Sequence, residues 1–168
     1  MFKKALLAAA LVSVSMSASA NWVLGVSYSN LSDSDGDIDI SLGGIVASAG
    51  YKYAVNQTFS LVPELRYGIG VSDDEIFGVD LELDSFYALS LRGEFDVTEN
   101  VYAYIAPSYG KLEVTASAGG FSESDTSDWE FGIGGGLGYK FNPTTSAEVS
   151  YESFDGTDVL SIGAKFAF

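Results

Sequence analysis

Apolar and polar residues alternate along most of the sequence after residue 20. In residues 129–141, WEFGIGGGLGYKF, the aromatic and aliphatic side chains share one face, while Glu130, glycines and Lys140 share the other. Strict alternation predicts β-strands, and helical periodicity is hard to find in the sequence. Eight such stretches predict an all-β protein: residues 22–29, 45–53, 59–71, 85–95, 101–110, 129–141, 146–153 and 159–168.

The connections between these stretches alternate in length. Residues 54–58, 96–100 and 142–145 are short and rich in turn-forming residues, whereas residues 30–39, 72–82 and 113–128 are long, and 155–158 is shorter. Gly43-Gly44 and Gly110-Lys111 each shift the apolar alternation, which predicts a β-bulge at both. Short turns on one side and loops on the other predict an eight-stranded antiparallel up-and-down barrel.

Alternation alone does not say whether the apolar face points into a soluble barrel of lipocalin type or outward to lipid. The strands carry five acidic and five basic residues, all on the polar face, although the whole chain is strongly acidic. Neutrality is expected of a narrow lumen, because an unpaired buried charge costs several kcal/mol. The interior charge ladder predicted in this way is Lys52, Glu64, Arg66, Arg92, Glu94, Glu130, Lys140, Glu148, Glu152 and Lys165.

Two further features favour the outward, transmembrane arrangement. Seven glycines, Gly25, Gly68, Gly70, Gly132, Gly134, Gly136 and Gly138, share the polar face, where an eight-stranded lumen has little space. The aromatic residues of the apolar face cluster towards the two ends of the strands, as in the girdles of membrane barrels. Strands of about ten residues suit a tilted bilayer crossing.

The first 20 residues contain Lys3 and Lys4, an apolar stretch and a small-residue site at Ala18-Ser19-Ala20. This pattern predicts a cleaved signal peptide over residues 1–20 and a barrel domain over 21–168. Cleavage removes two of the eight basic residues, which leaves six against 23 acidic residues and a net charge of −17. Such acidity argues against nucleic acid as a partner.

The final eight residues, SIGAKFAF, contain Ser161, Gly163, Phe166 and Phe168 in the spacing polar, any, glycine, any, any, aromatic, any, aromatic. This stretch resembles the terminal assembly signal of outer-membrane barrels, and the domain resembles the small OmpA/OmpX-type barrels of eight strands. The resemblance implies insertion by the barrel insertion machinery and residence among outer-membrane lipid. It implies no residue-level functional site, because the roles of this family lie in variable loops.

Catalytic and metal chemistry has little support. The chain contains no histidine and no cysteine, which removes imidazole bases and thiolate ligands. Glu64/Arg66 and Arg92/Glu94 fit interior salt bridges better than a catalytic cluster. Asp33, Asp35 and Asp37 have the spacing of early calcium-loop ligands, but Gly36 is misplaced and no glutamate occupies the twelfth position, so a specific calcium site is not expected.

The four loops together hold sixteen acidic residues when Asp84, just after residues 72–82, is counted with the second loop. Two interpretations of these acidic loops stay open. They attract divalent cations that bridge to lipid phosphates, or they form a solvated surface without a ligand. The predicted protein is a monomeric, non-enzymatic outer-membrane barrel without cofactor or metal, acting through its loops or by supporting the envelope. The alternatives are a narrow porin-like channel and, less favoured, a lipid-modifying enzyme.

Overall fold

A computed structural model describes residues 21–35, 38–72, 74–76, 79–118 and 121–168, and the elements found there are β-strands. The signal peptide predicted for residues 1–20 lies outside the described residues, as do Asp37 and Asp73 of the acidic loops. Among the described residues, no helix has the length and apolar character needed to cross a membrane.

Eight long strands build the barrel, and three short strands extend it. The long strands are β1 (Trp22–Asp35), β2 (Ile38–Tyr51), β4 (Phe59–Ser72), β6 (Val79–Asp96), β7 (Val101–Ala118), β9 (Glu130–Asn142), β10 (Thr145–Phe154) and β11 (Thr157–Ala167). The short strands are β3 (Tyr53–Ala54), β5 (Asp74–Ile76) and β8 (Phe121–Thr126).

Each long strand pairs antiparallel with the next along the chain, and β1 pairs with β11 to close the barrel. The closing register runs from Val23 opposite Ala167 to Asp33 opposite Thr157. The backbone N–H of Phe168 also donates to the carbonyl of Trp22 at 2.9 Å. Closure gives every long strand two neighbours, which a chain in hydrocarbon requires. The predicted eight-stranded antiparallel up-and-down barrel is therefore confirmed.

Three tight turns join strands at the end of the barrel that we call the turn end. Side-chain oxygens of Asn56, Thr98 and Asn142 each accept a backbone N–H two residues later, at 2.9, 3.3 and 2.9 Å. These bonds replace ladder bonds that the reversing backbone cannot make. At the opposite loop end, β10 and β11 meet in a turn where Gly156 has φ of 100°, a conformation that favours glycine.

The strands are longer than predicted at the loop end. β6 and β7 each contain 18 residues. β8 pairs with β7, from Glu113 opposite Thr126 to Ala118 opposite Phe121. Most of the segments predicted as long loops therefore continue as antiparallel ribbons. Apolar and polar residues still alternate in several of these ribbons, as in residues 79–83 (VDLEL) and 112–114 (LEV), but their many acidic residues favour an interpretation as loops.

One predicted bulge is confirmed and one is wrong. The β2–β4 register shifts between Gly43 and Gly44, as predicted. The β6–β7 register continues without a shift through Gly110 and Lys111, and its irregularity lies instead between Leu83 and Ser85. The alternation changes near Gly110 because the interior itself becomes apolar at this level, as described below.

The outer surface of the barrel is apolar and has aromatic residues towards both ends. Leu65, Leu89 and Ile133 are 57%, 54% and 52% exposed. Several aromatic pairs border this band: Trp22–Tyr51 in edge contact at 5.4 Å, Tyr67–Tyr87 at 5.0 Å and Tyr109–Trp129 stacked at 5.3 Å. Exposure on this scale is incompatible with a water-soluble barrel of the same fold, because such an apolar band must be covered by lipid.

Candidate functional site in the barrel lumen

Two lysines and two acids occupy the lumen at the turn end. Lys52 Nζ lies 2.7 Å from Glu94 Oε2, and Lys140 Nζ lies 2.6 Å from Asp96 Oδ1. Both ammonium groups approach the ring of Tyr102, at 5.8 and 5.6 Å from its centroid. These four charges neutralise one another between β6, β9 and Lys52, the residue that follows β2.

Arg92 lies at the centre of the lumen and contacts three carboxylates. Its guanidinium lies 3.4 Å from Glu64 and 3.0 Å from Glu94, and it donates to Glu148 Oε2 at 3.2 Å. Its side chain is 4% exposed, and its carbon Cζ lies 3.9 Å from the Tyr104 ring centroid. Charge-assisted bonds of this kind are strong where water is excluded.

Lys165 compensates part of the negative charge around Arg92. Its ammonium forms an ion pair with Glu64 and donates to Ser48 Oγ at 2.8 Å. The hydroxyl of Tyr102 donates to Glu148 Oε1 at 2.6 Å. The central cluster, which we define as Lys52, Glu64, Arg92, Glu94, Glu148 and Lys165, contains three positive and three negative groups.

A second ion pair lies nearer the loop end. Arg66 holds Glu152 with two bonds, Nη1 to Oε2 at 2.6 Å and Nη2 to Oε1 at 2.9 Å. The same Nη2 donates to Ser108 Oγ at 3.0 Å. The guanidinium also lies 5.6 Å from the ring of Phe86. Arg66 therefore joins the charged middle of the lumen to an aromatic layer above it.

The glycines of β9 provide space for tyrosines of β7. Tyr102 is the cross-strand partner of Gly138, and Tyr104 is that of Gly136. A Cβ at Gly138 would lie 2.1 Å from the Tyr102 ring, and one at Gly136 would lie 2.7 Å from the Tyr104 ring. The tyrosines lie where the glycine side chains would be, which accounts for glycine on the inward face.

An apolar layer fills the lumen at the loop end, and the sequence analysis did not predict it. Phe86 and Phe154 are 5% and 4% exposed and meet edge to face at 6.1 Å, and Leu112 and Val114 pack against the layer. The prediction of a polar lumen is wrong at this level. We call this layer the apolar plug; it comprises Leu31, Leu42, Val46, Leu83, Phe86, Ala88, Phe154 and Val159.

The ten ladder residues divide into three groups. Eight form the central cluster and the Arg66–Glu152 pair, while Lys140 pairs with Asp96, a residue interpreted from sequence as part of a turn. Glu130 is the first residue of β9, opposite Gly110, and is half-buried. The sequence analysis did not predict that Asp96 and Ser108 contact the charged residues of the lumen, although Ser108 lies at an inward position of its strand.

The residues of the predicted assembly signal lie on β11 and just beyond it. Ser161 faces the lumen and shares a 2.8 Å hydrogen bond with the hydroxyl of Ser29. A Cβ at Gly163 would lie 2.5 Å from the carbonyl oxygen of Val26, so the backbones approach closely there. Phe166 and Phe168 are 40% and 46% exposed, in the apolar outer surface.

The lumen contains small cavities between its side chains. One of about 60 Å³ lies among Ser29, Ser48, Arg92 and Lys165, below Phe86 of the apolar plug. Another of about 30 Å³ lies among Arg66, Ser90, Arg92, Ala106 and Glu152. The groups around them are paired acids and bases, hydroxyls and apolar side chains, an arrangement that stabilises a packed interior and offers a substrate little space.

Comparison with known proteins identifies relatives of the chain. The sequence model of the family described as outer membrane protein beta-barrel domain matches residues 5–168. No curated protein matches the chain in sequence.

Solved structures of similar fold include several outer-membrane proteins. Ail, the attachment invasion locus protein of Yersinia pestis, is 21% identical with a TM-score of 0.63, over 88% of this chain and 97% of Ail. An Ail complex with the heparin analogue sucrose octasulfate is 20% identical with a TM-score of 0.60, over the same shares. Neisserial surface protein A is 15% identical with a TM-score of 0.61, over 88% of this chain and 97% of its own. The N-terminal barrel of Pseudomonas aeruginosa OprF is 15% identical with a TM-score of 0.55, over 87% and 97%.

Proposed function

Because the chain belongs to the outer membrane protein β-barrel family and is located in the outer membrane, we propose that it is a monomeric, non-enzymatic barrel that acts through its extracellular loops. The barrel anchors and orients the loops, and its filled lumen keeps the outer membrane closed to solutes. Closure of β1 on β11 supports a monomer, because no long strand needs a second chain to complete its pairing.

The observation that carries this proposal is the packing of the lumen along its length. Lys52, Lys140 and Tyr102 lie at the turn end, Arg92 crosses the middle, and the apolar plug closes the loop end. A conducting channel requires a continuous polar path, and a layer with Phe86 and Phe154 nearly fully buried opposes one. The porin-like alternative therefore has less support than a closed barrel.

The loops give the proposed surface its chemical character. Their sixteen acidic residues attract cations and repel polyanions. This differs from what the solved complex of Ail with a heparin analogue suggests for that protein. We propose cationic groups, or divalent cations that bridge to lipid phosphates, as the class of partner recognised here.

A binding experiment with a matched control tests the loop proposal. Cells displaying the wild-type barrel should bind a fluorescent polycation more strongly than cells displaying Glu123→Gln/Asp125→Asn/Asp128→Asn. The control, Glu99→Gln, removes an acid from a turn on the opposite side of the barrel and should bind like the wild type. Equal binding by the triple variant would contradict a role for the acidic loops. Divalent-cation bridging predicts, in addition, that a chelator detaches neutral-lipid nanodiscs containing the barrel from anionic vesicles.

The enzyme alternative has its own test. A lipid-modifying barrel would change the mass of lipid A or phospholipid, and a carboxylate such as Glu130 would be required. We expect cells that lack the protein to have an unchanged lipid mass spectrum. A mass change that returns with the wild-type gene but not with Glu130→Gln would replace the proposal with an enzymatic one.

A further inference from the structure

Three buried polar atoms in the lumen lack a hydrogen-bond partner within the described part of the chain: Arg66 Nε, Ser90 Oγ and Arg92 Nε. Buried N–H and hydroxyl groups are nearly always bonded, because leaving one unpaired costs the full desolvation penalty. Arg92 and Ser90 are 3% and 8% exposed, so bulk water does not reach them freely. The three atoms therefore require a partner that the described residues do not supply.

The same three residues line one cavity. It measures about 30 Å³ and lies between β4, β6, β7, β9 and β10, with Ala106, Glu152 and Glu64 among its other walls. A water needs about 10–15 Å³ by this measure and two to four polar partners. The volume is sufficient for one or two molecules.

We propose that this cavity is a binding site for one or two ordered water molecules. A water has two lone pairs and two hydrogens, so it can accept from both Nε–H groups and donate to Ser90 Oγ and to a neighbouring carboxylate. Each of the three atoms then has a partner. The water joins the Arg66–Glu152 pair to the central cluster, so the charged layers of the lumen form one hydrogen-bonded network.

Arginine NMR tests the proposal directly, because Arg66 and Arg92 are the two arginines of the sequence. Protein labelled with ¹⁵N-arginine and refolded in micelles should give two Nε–H signals. Both should show cross-peaks to water with the sign of dipolar contact with a long-lived molecule, distinguished from proton exchange by comparing NOE and ROE spectra. Two protected Nε–H signals without such cross-peaks would overturn the proposal.

Filling variants locate the water. Ala106 and Ser90 line the 30 Å³ cavity and not the larger one, whereas Val46 lines the larger one alone. Ala106→Val should abolish the cross-peaks, and Val46→Ile, the matched control, should retain them. If Ala106→Val does not fold, Ser90→Val fills the cavity from β6 and should give the same loss. Cross-peaks that persist in the filled variant, or that disappear only in Val46→Ile, would place the water elsewhere and contradict this site.

Discussion

Replacing Arg92 with methionine tests how far the charged lumen stabilises the barrel. The substitution leaves a similar volume but removes the cation shared by Glu64, Glu94 and Glu148. The central cluster changes from three positive and three negative groups to two and three. Since the Arg92 side chain is 4% exposed and its partners are 4–9% exposed, water screens the remaining repulsion poorly.

Removing one partner of a buried ion pair typically costs about 3–5 kcal/mol. We expect Arg92→Met to lower the free energy of unfolding by about this amount, which changes the unfolding constant by roughly two to four powers of ten. The double variant Arg92→Met/Glu148→Gln restores the charge balance and should recover part of the loss. Recovery would show that uncompensated charge, rather than lost packing, causes the destabilisation.

Urea unfolding of the barrel refolded into lipid vesicles measures these differences, with tryptophan fluorescence as the signal. Lys140→Met is the matched control, because Lys140 and Asp96 form a pair with side chains 26% and 33% exposed. A pair exposed to this extent adds about 0–1 kcal/mol to the free energy of unfolding. Equal destabilisation by Arg92→Met and Lys140→Met would refute the argument that burial makes the central cluster important.

Three other changes have definite expected outcomes. Gly138→Ala places a methyl group against the Tyr102 ring and should destabilise the barrel by about 1–3 kcal/mol, and the same substitution in a Tyr102→Ala background should cost much less in the same urea assay. Phe86→Ala/Phe154→Ala removes the two rings of the apolar plug and should raise conductance in planar bilayers, whereas a conducting wild type would contradict the closed lumen. Deleting Phe168 should slow insertion and increase periplasmic degradation; normal surface levels would show that the terminal aromatic residue is not an assembly signal.

Alternation in the sequence was sufficient to predict the strands that contact lipid. Outward Leu89 and inward Ser90 differ in exposure, 54% against 8%, because a strand in a barrel places neighbouring residues in lipid and lumen. The same rule predicted closure, since an even barrel brings β1 and β11 together. Strand ends at the loop end were predicted less well, because their acidic residues favour loops, although apolar residues such as Leu83 and Leu112 continue the alternation there.

The composition of the lumen could be predicted only in part. Inward charges identify the lumen, but which acid meets which base depends on the register and on side chains that reach across the interior, as Arg92 does to Glu148. In the sequence, the apolar plug gives the same pattern as a shift in the alternation, because apolar residues such as Leu112 occupy inward positions at that level. A bulge and an apolar layer give the same local pattern.

A spin-label scan along β6 tests the central claim, that apolar side chains face lipid and the charged side chains fill the lumen. The chain has no cysteine, so single cysteines at positions 87–94 can be labelled one at a time in reconstituted protein. Labels replacing Leu89 and Leu91 should be highly accessible to oxygen dissolved in the bilayer, and the label replacing Ser90 should be protected. High oxygen accessibility at position 90 with protection at 89 and 91 would contradict the account.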